Sequence, residues 1–201
     1  MKYTVALTSF IIGAMAGACP APVPTSSSTP AAPAPTGYFG VISARSASPI
    51  HLQSLTARGG KFYLGGPGPT SYCPVAQVGS ACPPGNETVL AGGDKTLGMG
   101  VVVPGGQQVY VAPGGALSYT IAHSAAIPSG SIVDQFSREA PTGDSQFGHL
   151  NFETGFVACP AGEGQGYQVF GQVTDGPAFG ADCLGFSALT VATDQAGAWQ
   201  Y

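Results

Sequence analysis

Past residue 18, the longest run free of glycine and proline is 12 residues, Ala116 to Ile127. That spacing rules out a helical bundle. A glycine in a helix interior costs about 1 kcal/mol and a proline about 3 kcal/mol. Short strands joined by Gly/Pro turns tolerate the same spacing. The 31 glycines and 18 prolines bring the chain near a low-complexity composition. However, 44% of its residues are hydrophobic, and it has 10 Phe and 8 Tyr. A disordered chain lacks that apolar content, and 201 residues suit one domain.

From Tyr38 onward, large and small or polar residues alternate in short runs. Leu117, Tyr119 and Ile121 alternate with Ser118, Thr120 and Ala122, which puts the large side chains on one strand face. Val109-Tyr110-Val111 precedes them across Pro113-Gly114-Gly115, the pattern of a hairpin. Further strands are expected at Tyr38–Ser43, Ile50–Leu55, Lys61–Leu64, Val89–Ala91, Met99–Val103, Ile132–Phe136, Leu150–Glu153, Phe156–Ala158, Tyr167–Gln172 and Leu184–Ala192. About twelve strands point to an all-β domain over 37–201, a compact antiparallel barrel or two-layered fold. The phrases beginning at Gly60, Gly115 and Gly148 share Gly-x-large-x-large. This echo favours a β-trefoil over a β-sandwich.

Residues 1–18 carry Lys2, an apolar stretch from Val5 to Ile12, and small residues at Ala14, Ala16 and Ala18. Those are the parts of a secretory signal peptide. Residues 19–36 hold six prolines and no charge, an extended Pro/Ser/Thr-rich linker with nothing to bury. Ala16-Gly17-Ala18-Cys19 has a loose likeness to a lipidation signal. Ala198-Trp199-Gln200-Tyr201 lacks the apolar tail of a GPI signal. Secretion makes the cysteines a disulfide framework. Cys73, Cys82, Cys159 and Cys183 allow three pairings, and proximity favours Cys73–Cys82 with Cys159–Cys183. Asn86-Glu87-Thr88 is an N-glycosylation acceptor.

Only 8% of residues are charged, and the net charge is −4. The scattered cations Arg45, Arg58, Lys61, Lys95 and Arg138 provide no footprint for nucleic acid or an anionic membrane. His51, His123 and His149 have no metal-ligand spacing, so neither metal nor cofactor is expected. Gly143-Asp144-Ser145 resembles the start of an esterase motif but lacks a nucleophile elbow and a placed base, which makes it a polar turn. Asp134, Glu139, Asp144 and Glu153 share a 20-residue window. A glycosidase needs two carboxylates about 5–10 Å apart, and that reading stays an alternative. Gly162 to Gly166 precedes a strand, so it is a turn and not a phosphate cradle. Tyr38, Tyr63, Tyr110, Tyr119, Tyr167 and Trp199 are candidates for stacking on sugars, above all Tyr63, Tyr110 and Trp199. Packing within the sheet is the competing role, and Trp199 also suits a latch that closes the fold.

Several phrases carry a family resemblance. They are Tyr38-Phe39-Gly40-Val41-Ile42-Ser43-Ala44-Arg45-Ser46, Gly59-Gly60-Lys61-Phe62-Tyr63-Leu64-Gly65-Gly66 and Pro104-Gly105-Gly106-Gln107-Gln108-Val109-Tyr110-Val111, followed by Gly155-Phe156-Val157-Ala158-Cys159-Pro160, Tyr167-Gln168-Val169-Phe170, Asp182-Cys183-Leu184-Gly185-Phe186-Ser187-Ala188 and Ala198-Trp199-Gln200-Tyr201. Over about residues 37–201 the chain resembles secreted fungal proteins labelled IgE-binding, or cell-wall proteins of phialides and conidia. The resemblance implies a secreted, wall-associated, non-enzymatic protein of asexual spore-forming structures, with no catalytic residues to carry over. IgE binding would reflect host sensitisation. The expected partner is cell-wall polysaccharide, and the expected state is a monomer. A lectin-like carbohydrate-binding module and a small carboxylate-dependent hydrolase are the alternatives.

Overall fold

The computed structural model describes residues 37–201 apart from Asp175 and Pro177. The expected signal peptide, linker and Cys19 lie outside the described residues. The all-β class is what the chain adopts. The strands are β1 (Tyr38–Ala44), β2 (Leu55–Arg58), β3 (Lys61–Leu64), β4 (Leu90–Met99), β5 (Gln108–Val111), β6 (Leu117–Tyr119), β7 (Phe136–Glu139), β8 (Gly148–Phe152), β9 (Phe156–Pro160), β10 (Tyr167–Gly171) and β11 (Leu184–Thr193). Among the described residues the helical structure is one turn, α1 (Val75–Val78), and a 3-10 turn at Gly79–Ala81.

All the strand pairs are antiparallel. β1 runs along β11, from Tyr38 opposite Thr193 to Ala44 opposite Ser187. From β11 the sheet continues through β8, β7, β4, β5, β6, β3, β10 and β9. β9 then pairs with the first residues of β11, Ala158 opposite Leu184, so the sheet partly rings. β11 serves several neighbours because it is ten residues long. The Gly-x-large-x-large phrases fall on β3, β6 and β8. β3 and β6 are neighbours, whereas β8 lies between β7 and β11.

Alternation delivers the core. β1 turns Phe39 and Val41 inward, β3 Phe62 and Leu64, β5 Val109 and Val111, and β8 Leu150 and Phe152. Each such side chain contributes about 1.5–3 kcal/mol when fully buried. Phe136, Phe152, Phe156 and Phe186 follow one another at centroid spacings of 5.3, 6.1 and 5.9 Å.

Three expected strands are corrected. Ile50–Leu52 is a turn, Ser54 makes an isolated bridge to Ile42, and the strand proper begins only at Leu55. Buried Ser43 holds this segment: its N–H donates to the Gln53 carbonyl at 3.0 Å, and its carbonyl accepts from the Leu52 N–H at 2.8 Å. Leu52 takes a left-handed φ of 58° there. In place of Met99–Val103, β4 ends at Met99 and Val101 makes only an isolated bridge to Ala198. In place of Ile132–Phe136, Ile132 bridges Val111 and β7 starts at Phe136. β4 also runs on past Ala91, the expected end of this strand, through Gly92-Gly93 to Met99. Gly93 has φ 101°, and a Cβ there would sit 2.5 Å from the Cβ of Arg138, so glycine lets β4 close on β7.

Residues 198–201 are fastened by a buried amide. Gln107 Nε2 donates to the carbonyls of Thr120 and Tyr201, each at 2.8 Å, and its Oε1 accepts from the Tyr201 N–H at 2.8 Å. The Tyr201 hydroxyl accepts from the Val89 N–H at 3.1 Å and donates to the Glu87 carbonyl. The latch role considered for Trp199 is thus filled by Tyr201 and Gln107. Trp199 is half-buried, and its carbonyl accepts from the Val103 N–H at 3.0 Å.

Burial pushes the Tyr201 phenol up to about 12, against the lowering effect of the Val89 hydrogen bond. The unfolded phenol titrates near 10. Because the folded value is the higher, the contribution is full below about pH 10 and is lost as pH rises toward about 12. Tyr201→Phe is expected to lower stability at neutral pH by about 1–2 kcal/mol. It should also flatten part of the alkaline fall in Tm, leaving the part due to Tyr119, likewise raised by burial. Melting curves from pH 7 to 12 check this. A fall as steep in the variant as in the parent would rule out Tyr201 as the titrating group.

Candidate functional site

One cleft gathers polar side chains from turns far apart in sequence. It has a volume of about 450 Å³. Gln135 precedes β7, Glu153 and Thr154 form the β8–β9 turn, and Gln172 and Thr174 follow β10. Pro113 and Ile132 add apolar wall. Backbone bonds hold these turns together. The Glu153 N–H donates to the Gln135 carbonyl at 3.1 Å, and the Gln172 N–H to the Gly155 carbonyl at 3.0 Å. The Thr154 hydroxyl donates to the Gln172 carbonyl. Gly155 reverses the chain with φ 92°, a conformation that suits glycine. Ile132 is fixed by its two-way bridge to Val111, at 2.8 and 2.9 Å.

Two amides, a carboxylate and two hydroxyls make a hydrogen-bonding set that both donates and accepts. Volumes of about 300–1,000 Å³ are usual for ligand sites. Of the four carboxylates singled out from sequence, Glu153 lines the cleft. Asp134, Glu139 and Asp144 are exposed, and Glu139 Oε1 accepts from Asn151 Nδ2 at 2.9 Å. Among the described residues no group of three or more His, Cys, Asp and Glu is placed to hold a metal ion. His51, His123 and His149 are all exposed, and His51 Nδ1 accepts from the Arg45 N–H at 3.3 Å.

The stacking candidates stand elsewhere. Tyr63, on β3, is half-buried, with the Arg58 guanidinium 3.8 Å from its ring centroid. Tyr110, on β5, is half-buried opposite Ser118. Tyr119 belongs to the core, its ring edge-on to Phe62 at 5.3 Å. Tyr72, not among the candidates from sequence, is 60% exposed and bridges Gln200, next to Trp199. Its only sequence signal is its place before Cys73. The structure joins Cys73 to Cys82 and Cys159 to Cys183. Asn86 is exposed on a bend.

A charge-poor all-β domain tied by two disulfides belongs to the class of small exported β proteins. The chain is a member of the PhiA-like secreted protein family, whose sequence profile matches residues 39–201. It is similar to an uncharacterized secreted protein of Arthroderma benhamiae, 43% identical over 157 residues, which covers 73% of this chain and 76% of the relative. Family and relative alike are described as secreted. No solved structure matches the chain. Among the described residues no helix is long and apolar enough to cross a membrane.

Proposed function

We infer that this secreted protein is a non-enzymatic component of the fungal cell wall, that of phialides and conidia, and contacts wall polysaccharide through the cleft of Gln135, Glu153 and Gln172. The observation that carries the reading is the convergence of those side chains with Thr154 and Thr174 beside Ile132. Vicinal hydroxyls of a sugar both donate and accept, and amides and carboxylates pair with them. The apolar wall suits the C–H face of the ring. With 8% charged residues, ionic adhesion contributes little, so salt should release little of the bound protein.

The test is sedimentation with insoluble β-glucan and chitin at low and high salt. The parent is expected to bind one of them saturably and to stay bound at high salt. Replacing Glu153 by Gln together with Gln172 by Ala should weaken binding at least about tenfold, a change of about 1.4 kcal/mol. Both side chains are exposed, so the fold should survive. Absence of saturable binding by the parent, or equal binding by the variant, would remove the cleft from the account.

A further inference from the structure

A second groove, of about 360 Å³, lies across the outer side of β1 and β11. Asn86 and Glu87 stand along it, with Ile42, Thr56 and Val191 among its walls. Its floor includes Gly40, which pairs with Val191. A Cβ built on Gly40 meets no atom within 4 Å, so the floor is bare. Val191 is 40% exposed. The groove therefore offers a mix of aliphatic and hydroxyl surface, and the acceptor asparagine of a glycosylation signal stands along it.

The hydroxyl residue of that signal is in a different situation. Thr88 is 7% exposed, and its Oγ1 accepts from the buried Ala57 N–H at 2.7 Å. The signal requires this residue, yet the folded domain shuts it against β2. We propose that Asn86 carries an N-linked glycan, added before β2 docks on Thr88, whose first sugars lie in the groove over Gly40 and Val191. In the transfer, the Asn86 amide nitrogen bonds to the anomeric carbon of a lipid-diphosphate-linked oligosaccharide. The anomeric C–O bond breaks, the lipid diphosphate leaves, and the amide loses one proton. The attachment point makes the glycan's own core the nearest occupant of the groove. Its C–H faces cover Val191, and its hydroxyls reach Thr56.

Three measurements on full-length protein secreted from a yeast host test this. Peptide mass analysis is expected to find Asn86 occupied, and an unmodified Asn86 would overturn the proposal. Digestion of the native protein with peptide-N-glycosidase is expected to be slow, and at least about tenfold faster in Gly40→Phe, which sets a bulky ring at a position where a Cβ meets no atom within 4 Å. Equal rates would show that the groove does not hold the glycan. Independently of that variant's folding, hydrogen exchange at residues 189–193 should quicken in Asn86→Gln, and unchanged exchange would count against the packing. For the order of events, folded bacterial protein given microsomal transferase and lipid-linked oligosaccharide should stay unmodified while the nascent chain is modified. Equal modification of both would overturn the requirement for an open β2.

Discussion

Arg58→Ala is expected to lower stability by about 3–4 kcal/mol, the largest effect of any single substitution considered for this chain. Arg58 is 8% exposed and ends β2. Its guanidinium donates to backbone carbonyls: Nη1 to Pro67 at 2.6 Å and to Gly65 at 3.3 Å, and Nη2 to Gln165. The same group lies over the Tyr63 ring. One side chain thus ties the β2–β3 hairpin and the loop after it to the β9–β10 turn, 107 residues away in sequence. Hydrogen bonds from a charged donor are worth about 1.5–3 kcal/mol each, and the cation–π contact adds about 0.5–1 kcal/mol. Water reaches some of the freed carbonyls and reduces the total. Arg58→Lys should recover only a minor part, because an ammonium cannot spread over three divergent carbonyls as the planar fork does. At about 2–4 °C per kcal/mol for a domain of this size, the alanine variant should melt about 10 °C lower. Thermal unfolding followed by circular dichroism measures this. A loss below about 1 kcal/mol would mean that water replaces the guanidinium without penalty.

The all-β class is legible in the sequence because the distance between glycines and prolines forbids long helices and the alternation survives between them. β3 is found at its expected bounds, and the β5–β6 hairpin forms across its Pro-Gly-Gly turn. What goes unread is long-range. The expected strand stops at Ala91, and the approach of Arg138 from β7, which leaves no room for a Cβ on Gly93, accounts for β4 passing on through Gly92-Gly93. Ile50 is buried like a strand residue, but Ser43 bends the segment that follows it. The cleft is beyond local pattern altogether, since Gln135, Glu153 and Gln172 sit in separate turns and meet only once β7, β8, β9 and β10 are in register. Arg58 shows the same limit: the Gly-rich segment holding Gln165 is a turn, as its sequence indicates, but the contact with Arg58, 107 residues away, is not a local signal. The half-buried state of Tyr63 follows from Arg58 lying over it, a contact that depends on the same β2–β3 register.

Removing the Cys159–Cys183 disulfide, with serine at both positions, is expected to cost about 3 kcal/mol, and removing Cys73–Cys82 distinctly less. In the chain-entropy treatment a closed loop of about 25 residues is worth ~3.5 kcal/mol and one of about 10 residues ~2.7 kcal/mol, before native strain. Position widens the difference. Cys159 lies on β9 and Cys183 directly precedes β11, and this is the strand pair through which the sheet returns on itself, Ala158 opposite Leu184. The bridged segment contains β10 together with Gln172 and Thr174 of the cleft. Opening it loosens the closing pair and the cleft wall together. The Cys73–Cys82 loop, by contrast, encloses α1 and a 3-10 turn with no buried residues. Its loss frees little that the core depends on, and the measured cost should fall below the entropic figure. Unfolding in urea separates the two, with a lower midpoint for both variants and the larger drop for Cys159/Cys183. Polysaccharide sedimentation should weaken in that variant and hold in the other. If the Cys73/Cys82 variant proved the less stable, the closing of the sheet at β9 and β11 would not be where the covalent tie acts. The core contacts among Phe152, Phe156 and Phe186 would then suffice to hold that pair without it.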